Sequence, residues 1–407
     1  MKKHFKLLNL GLVIGLFSLI SSMVIAQNPT YTAELRSDLM VSSSVYEFDI
    51  YLTSTGVTPL EIANFQASIL VNPSFVNGGT ITPAIVGSSS DLNAAQVPTS
   101  IAFDPATGCI KIAPKAPPRT LVPATMTSTT DGTIIPASGS RVCRISLSNS
   151  VAFGSSTLDP IWNFSIQPYR TVVTAFVGPE TSKVNTIITL AEAHSKTLNL
   201  ALAIEGLWDD ATGSLKKVQD ADIDYNQFDK FPGLTSDTLT VQLAETTEPW
   251  NILYSAHGVN LNTDGKCRVS VPGSITGNYY VIIKHRNSVE TWSKSGGEIF
   301  GGDLTSLDFS TSADQAFGSN QTSVSGGKFA LFSGDVTSPG GVQDGYIDIN
   351  DLNSIYNLNV ESAFGFSSED LTADGFVDIN DLNMVYNNNV NSVGMNTPPN
   401  PAGKKKR

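Results

Sequence analysis

The sequence predicts a mostly β protein: two antiparallel β-sandwich domains followed by a small α-helical module. Three observations carry that expectation. Short apolar-alternating segments separated by Gly, Pro, Ser and Asn fill the chain from Tyr31 to Phe332. Charged residues make up only 15% of the 407. An acidic decapeptide near the C-terminus nevertheless recurs almost letter for letter, 30 residues on. Many short strands with turn residues between them indicate sandwiches or barrels, and a duplicated acidic unit indicates a separate module.

Residues 1–26 read as an export signal. Lys2, Lys3 and Lys6 precede an apolar run from Leu7 to Ile20, and Val24, Ile25 and Ala26 lead to the small-residue exit that a signal peptidase prefers. The run is short of the roughly 20 apolar residues that a spanning helix needs, and no later segment approaches that length. No membrane insertion is expected, and the mature chain is read as secreted, extracellular or at the cell surface. Removing the signal takes 3 lysines and no acid, so 25 basic residues become 22 against 37 acidic, and the formal charge moves from −12 to −15. Such a balance argues against nucleic acid or anionic membrane as partner and suits a protein that binds cations.

The first domain is placed at 27–190. In "VYEFDIYL" Tyr46, Phe48, Ile50 and Leu52 share one face, and "FQASIL", "CIKIA", "RVCRISL" and "IWNFSI" follow at strand length. Three cysteines are too few for a disulfide scaffold; Cys109 and Cys143 fall in this domain, where their pairing is left open, and Cys267 would remain over. No Cys or His lies within metal-ligand spacing of another.

The stretch from Thr181 to Lys196 has the weakest pattern and is read as a connection to the second domain, 191–330. Its clearest strands are "LNLALAI", "TLTVQL", "CRVSV", "NYYVIIKH" and "KFALF", with Leu239, Val241 and Leu243 on one face. The polar cluster "NYYVIIKHRNSVETWS" admits two readings. A catalytic one makes His285 a general base oriented by Glu290. The structural one, which the absence of a nucleophile motif favours, is a strand, a turn and a returning strand with solvated charges and a half-buried Trp292. His194 and His257 carry no signal.

From Leu331 to Gly403 there are 10 acidic residues and no Lys or Arg. Asp344–Val360 and Asp374–Val390 agree at 12 of 17 positions. In the second copy Asp370, Thr372, Asp374, Gly375, Asp378 and Asp381 occupy positions 1, 3, 5, 6, 9 and 12 of a 12-residue loop, the spacing of an EF-hand-type calcium loop with Asp in place of the terminal Glu. Calcium is a hard cation that takes six to eight oxygens. Alternate positions of a tight loop bring oxygens to one point, the Phe376 carbonyl would supply position 7, and Val377 would face the core. The first copy keeps Asp344, Gly345, Asp348 and Asp351, with the Tyr346 carbonyl at position 7. Its position 1 is Asp335, five residues further away than the pattern allows, so that "TSPGGVQ" must bulge or another oxygen must replace the position-3 ligand. Two calcium ions are expected, the first site the weaker. After each loop a short helix follows, with Leu352, Ile355 and Tyr356, and Leu382, Val385 and Tyr386, at helical spacing. The two stripes are expected to pack together, giving a module at 331–395. The tail 396–407, Pro-rich and then basic, has no means of building a core and is expected to be disordered.

Two loop–helix calcium repeats without an entering helix, at the C-terminus of an exported chain, resemble a type I dockerin module, and the fold class becomes two sandwiches plus a dockerin-like calcium-binding module. The resemblance implies that loop positions 10 and 11, here Ile349 and Asn350 and again Ile379 and Asn380, face a partner. It further implies a cohesin-like module as that partner, in two orientations. The family often has small hydroxyl residues at those positions. Here they are Ile and Asn twice, so both isoleucines packing inside is the other reading. The segment from Tyr46 to Thr82, with Phe65, Ile69 and Leu70 before Asn72, Pro73 and Ser74, resembles the start of a cohesin or a related carbohydrate-binding sandwich. A chain carrying both modules could also link head to tail through its own N-terminal domain.

The functional expectation is a non-enzymatic docking or scaffolding protein, in extracellular polysaccharide-degrading or cell-surface assemblies, with polysaccharide as a further partner. The alternatives are a dockerin-bearing glycoside hydrolase, for which Glu205 and Glu290 are the nameable carboxylates, and a calcium-stabilised adhesin.

Overall fold

The computed structural model describes residues 28–113, 115, 132–154, 160–165, 169–177, 184–188, 195–336 and 343–398, with 184–188 as backbone. The export signal, residues 337–342 of the bulging segment, His194 and the basic end of the tail lie outside the described residues.

The first sandwich is built from β1 (Tyr31–Ser42), β2 (Val45–Ser54), β3 (Leu60–Leu70), β4 (Ile81–Ile85), β5 (Ile101–Asp104), β6 (Cys109–Ile112), β7 (Thr133–Ile135), β8 (Ser140–Asn149), β9 (Ile161–Trp162), β10 (Val172–Val177) and β11 (Val184–Ile188). One sheet runs β1-β2-β8-β4; the other runs β11-β10-β3-β6-β5, with β7 and β9 also on β3. Strand β2 behaves as its alternation predicts: Tyr46, Phe48, Ile50 and Leu52 are all buried, against Phe65 and Ile69 of β3 and Ile145 and Leu147 of β8. Each such side chain contributes about 1.5–3 kcal/mol by leaving water. The "NPS" segment is a one-turn helix, α1 (Pro73–Val76), begun by Asn72, whose side chain accepts from the Ser74 N–H at 2.9 Å. Strand β11 lies within the stretch read as a connection and pairs with β10.

The second sandwich adds β12 (Ser195–Ala201), then two small hairpins, β13 (Trp208–Asp209) with β14 (Ser214–Leu215) and β15 (Gln219–Ala221) with β16 (Gln227–Asp229). Its larger sheet runs β17 (Thr235–Glu245), β18 (Ile252–Asn262), β20 (Gly277–His285), β21 (Ser288–Trp292) and β22 (Glu298–Phe300), in the order β18-β17-β20-β21 with β22 also on β20. Strand β12 sits between β19 (Lys266–Pro272), antiparallel, and β23 (Leu304–Asp308), parallel. A hairpin of β24 (Thr322–Val324) and β25 (Lys328–Ala330) closes the domain. Leu239, Val241 and Leu243 share its core with Val281 and Ile283 of the next strand and with Leu198 and Leu200 of β12.

The C-terminal module holds α2 (Ile349–Val360) and α3 (Ile379–Val390). Ile355 and Val385 are fully buried between them, with Ile347, Leu371 and Val377. Tyr356 and Tyr386, read as part of the inward stripe, point outward instead. The apolar face that two short helices can share is narrower than the sequence stripe, and Leu352 and Leu382 already fill its edge.

The module is pressed onto the second sandwich. Ala373 of its second loop belongs to that domain's core, and Gly206 lets the chains meet, since a Cβ there would stand 2.0 Å from the Leu371 carbonyl oxygen. The turn between β20 and β21 supplies the main clasp. Arg286 donates from Nε to Asp237 (3.0 Å) and from its terminal nitrogen to the carbonyls of Ser367 and, at 3.1 Å, Asp370. Asn287 donates to the same Asp370 carbonyl at 3.1 Å. Asp237 is buried, and burial alone would raise its pKa; His285, at 2.9 Å, and Arg286 outweigh that and hold it at about 2. His285 also bonds Ser288 Oγ at 3.0 Å. The expectation of solvated charges here is thus corrected, because the pair His285–Asp237 is sealed inside and Trp292 is buried rather than half buried.

Replacing Arg286 by Ala leaves the buried Asp237 to His285 alone and removes two bonds to the module. An expected loss of about 3 kcal/mol should show as a lower denaturant midpoint for the full chain. An unchanged midpoint would show that Arg286 does not clasp the module.

Candidate metal centre

Each loop is shaped by its own acids. Asp348 and Asp378 cap α2 and α3, accepting from the N–H of Asn350 and Asn380, each at 2.7 Å. Asp351 and Asp381 reach back to the N–H of Asp348 (2.9 Å) and Asp378 (2.8 Å), completing a capping box on each helix. Gly345 and Gly375 turn the chain with φ of +83° and +85°, which favours glycine. Their N–H groups donate to Asp335 (3.1 Å) and Asp370 (2.8 Å). The insertion in the first loop therefore leaves Asp335 on the same partner that Asp370 has in the second.

The loops differ at one point. In the second, Thr372 gives both its N–H (2.8 Å) and its hydroxyl (3.0 Å) to Asp381 Oδ1. In the first, the N–H that meets Asp351, at 2.9 Å, is that of Val336, directly after Asp335, and position 3 lies outside the described residues. Asp344 and Asp374 each accept from the N–H two residues on, at 3.0 Å. The loops are joined back to the fold by bridges at Tyr346 with Gly394 and at Phe376 with Phe364. Those bridges use the backbone groups of Gly345 and Ile347 and of Gly375 and Val377, on either side of the two position-7 residues.

Capping accounts for the acids at positions 9 and 12. It does not account for Asp335, Asp344, Asp370 and Asp374. Burial pushes Asp335 up to about 8, with the charges of Asp351 and Asp344 adding to it. Burial likewise raises Asp370 to about 7 and Asp351 to about 6, and Asp374 and Asp381 are raised for the same first reason. Asp335 Oδ1 is buried without a hydrogen-bond partner. Among the described residues no three His, Cys, Asp or Glu side chains are gathered into a metal-holding cluster; the carboxylates turn onto backbone N–H groups instead. The donor set still fits calcium: all oxygen, mostly carboxylate, at alternating loop positions, with an orphaned oxygen and repelling neighbours that a hard cation would satisfy.

The residues at positions 10 and 11 lie on the surface. Ile349 and Ile379 are 57% and 55% exposed, so they do not pack inside, and Asn350 and Asn380 are exposed beside them. Sequence reasoning missed how the loops are fastened. Lys216 Nζ donates to the Thr372 carbonyl (2.8 Å), and Gln227 to the Asp374 carbonyl (2.5 Å). Phe366 lies between the cations of Lys230 (4.8 Å) and Arg286 (4.9 Å). These contacts span 80 residues or more, and no local pattern announces them.

The other candidates are dispersed. Glu205 is drawn under α3, accepting from Ser333 N–H (3.0 Å) and Asn388 (2.7 Å). Glu290 pairs with Lys284 (2.7 Å) and accepts from Trp292 (2.6 Å), so it does not orient His285. His257 shares a bond with Thr240 at 3.2 Å. Cys109, Cys143 and Cys267 are buried free thiols. Among the described residues no helix is long and apolar enough to cross a membrane.

No protein-family model and no curated protein matches the chain. Among solved structures it is similar to a C-terminal interface mutant of a type II cohesin–X–dockerin complex from Acetivibrio cellulolyticus, at 17% identity and a TM-score of 0.29, over 47% of this chain and 94% of that one. It is similar to the second type II cohesin module of a cellulosomal adaptor scaffoldin of the same organism, at 9% identity and a TM-score of 0.22, over 42% and 93%. A third is domains D2 and D3 of the major pilin SpaD from Corynebacterium diphtheriae, at 10% identity and a TM-score of 0.18, over 63% and 82%.

The raised acids set a pH dependence. Their folded pKa values of about 6 to 8 stand above the ordinary 3.8, so folding favours the protonated forms and stability without metal falls as pH rises from about 4 to about 8. In chelator the melting temperature of the full chain should fall across that window. With calcium the loss should be cancelled, because the ion replaces the protons. A melting temperature indifferent to both would overturn the calcium reading.

Proposed function

We propose that this is an exported docking protein whose C-terminal module is folded around two calcium ions and presents a twofold-repeated surface to a protein partner. Asp335, Asp344, Asp348, Asp351 and the Tyr346 carbonyl would hold the first ion. Asp370, Thr372, Asp374, Asp378, Asp381 and the Phe376 carbonyl would hold the second. The ion supplies the positive charge that lets these oxygens approach one another.

The observation that carries the docking reading is the exposed side of the helices. Ile349, Tyr356 and Val360 on α2 are 57%, 51% and 65% exposed, and Ile379, Tyr386 and Val390 on α3 are 55%, 56% and 62% exposed. Each trio falls at i, i+7 and i+11, one stripe of a helix. A pair of like stripes, kept in water while the helices bury their other faces, is an interaction surface in duplicate. The partner proposed is a cohesin-like sandwich module, in another chain or in the N-terminal domain of a second copy, within polysaccharide-degrading or cell-surface assemblies.

The test uses the full chain in sedimentation and calorimetry, alone and with a purified cohesin module. Calcium should bind near two per chain and switch association on. Ile349→Asp or Ile379→Asp alone leaves one orientation and weakens binding about twofold. Both together remove two apolar anchors, an expected loss of about 3 kcal/mol or roughly a hundredfold. Association that ignores calcium and survives the double substitution would sink the proposal.

A further inference from the structure

The 12 residues of α2 and of α3 divide by side. On α2 the exposed ones are Ile349, Asn350, Asn353, Tyr356, Asn357 and Val360, and α3 exposes the same residue types 30 positions on. The helices differ at three positions, Ser354 against Met384, Ile355 against Val385 and Leu358 against Asn388, and none of these is exposed. Folding alone would give the opposite result, because core positions carry the large penalties and exposed helix positions tolerate change. The calcium loops end at Asp351 and Asp381, so they do not account for Tyr356, Asn357 and Val360 returning as Tyr386, Asn387 and Val390. Beyond the loops, what differs is turned inward and what faces water is repeated.

The repeated face has two rows. At about 100° per residue, Ile349, Tyr356 and Val360 fall within about 40° of one another, and Asn350, Asn353 and Asn357 lie beside them within about 60°. No Asp, Glu, Lys or Arg is among the exposed residues of either helix, although 10 acidic residues lie between Leu331 and Gly403. Eight of those 10 belong to the loops and helix caps. Glu369 is buried, accepting from the hydroxyls of Ser354 (2.9 Å) and Ser367 (2.6 Å). Glu361 follows α2, and Asn391 stands in its place after α3.

An uncharged face selects its partner by exclusion. A charged side chain pressed against it would lose water with no opposite charge in return, which is costly. A wholly apolar partner would leave the covered amides unpaired, since each Asn has two donor hydrogens and an acceptor oxygen. The surface that fits has an apolar ridge bordered by neutral hydrogen-bonding groups.

Resting on the docking reading above, we infer that the asparagine rows, Asn350, Asn353 and Asn357 on α2 and Asn380, Asn383 and Asn387 on α3, determine specificity for a protein face of that kind, bound without ion pairs.

The full chain in calcium is titrated with a panel of purified cohesin modules at about 20 and about 500 mM sodium chloride. The dissociation constant of a module that binds should change less than about twofold, where a face built on ion pairs weakens by about tenfold or more. Asn353→Ala together with Asn383→Ala should weaken binding about tenfold. Both are exposed positions inside helices, where Ala is the better helix former, and an unchanged calcium stoichiometry separates lost recognition from lost folding. Asn353→Asp with Asn383→Asp should weaken it at least as much, by setting a carboxylate against an uncharged face. Binding that falls steeply with salt, or that survives the alanine pair, would overturn this inference and leave the docking reading standing. No binding to any cohesin module in calcium would overturn both.

Discussion

The C-terminal module depends on one electrostatic constraint: carboxylates brought out of water beside one another. Asp335 and Asp370 are almost fully buried, and each faces further acids across its loop. Taking a lone carboxylate out of water costs several kcal/mol, and a second one nearby adds repulsion. Only two remedies exist in such a place, a proton or a cation. The raised pKa values describe the first. The oxygen-only donor set describes the second.

The second loop also holds the module against its neighbour through its main-chain carbonyls. In the second loop the carbonyls of Asp370, Thr372 and Asp374 are met by Arg286, Asn287, Lys216 and Gln227 of the second sandwich. Asp237 fixes Arg286 from behind, and His285 fixes Asp237. A Ser–His–Asp constellation results at Ser288, His285 and Asp237, but all three are buried. Their geometry orients a guanidinium and anchors a neighbouring module.

How much of this the sequence disclosed follows from the range of each interaction. Strand β2 was legible because a half-buried strand writes its burial into alternate residues, and Tyr46, Phe48, Ile50 and Leu52 keep it. The two helices were legible because a duplicated segment repeats its cap, turn glycine and core positions together. Strand β11 was not, since it lies in the weakest-patterned stretch, and the parallel pairing of β12 with β23 depends on partners about 100 residues apart. Tyr356 and Tyr386 sat on a stripe that periodicity could not divide into core and surface. The clasp at Arg286 was invisible for a related reason: "KHRN" after an apolar strand looks like any solvated turn until its long-range partners are placed.

The capping boxes separate what the acidic repeat requires for folding from what it leaves over. Asp348, Asp351, Asp378 and Asp381 would be retained by any pair of helices beginning there, ion or no ion. Asp335 and Asp370 cap nothing, yet both survive in buried positions, one of them across an insertion. Both cost stability in the bare fold and accept from the turn glycine's N–H in each copy, which is the feature the calcium proposal uses. Among the described residues, the second loop has three of its carbonyls tied to the sandwich. A preorganised loop loses less entropy on closing around an ion, so under the calcium proposal the second loop is the better prepared of the two, and its filling would bear on the domain interface.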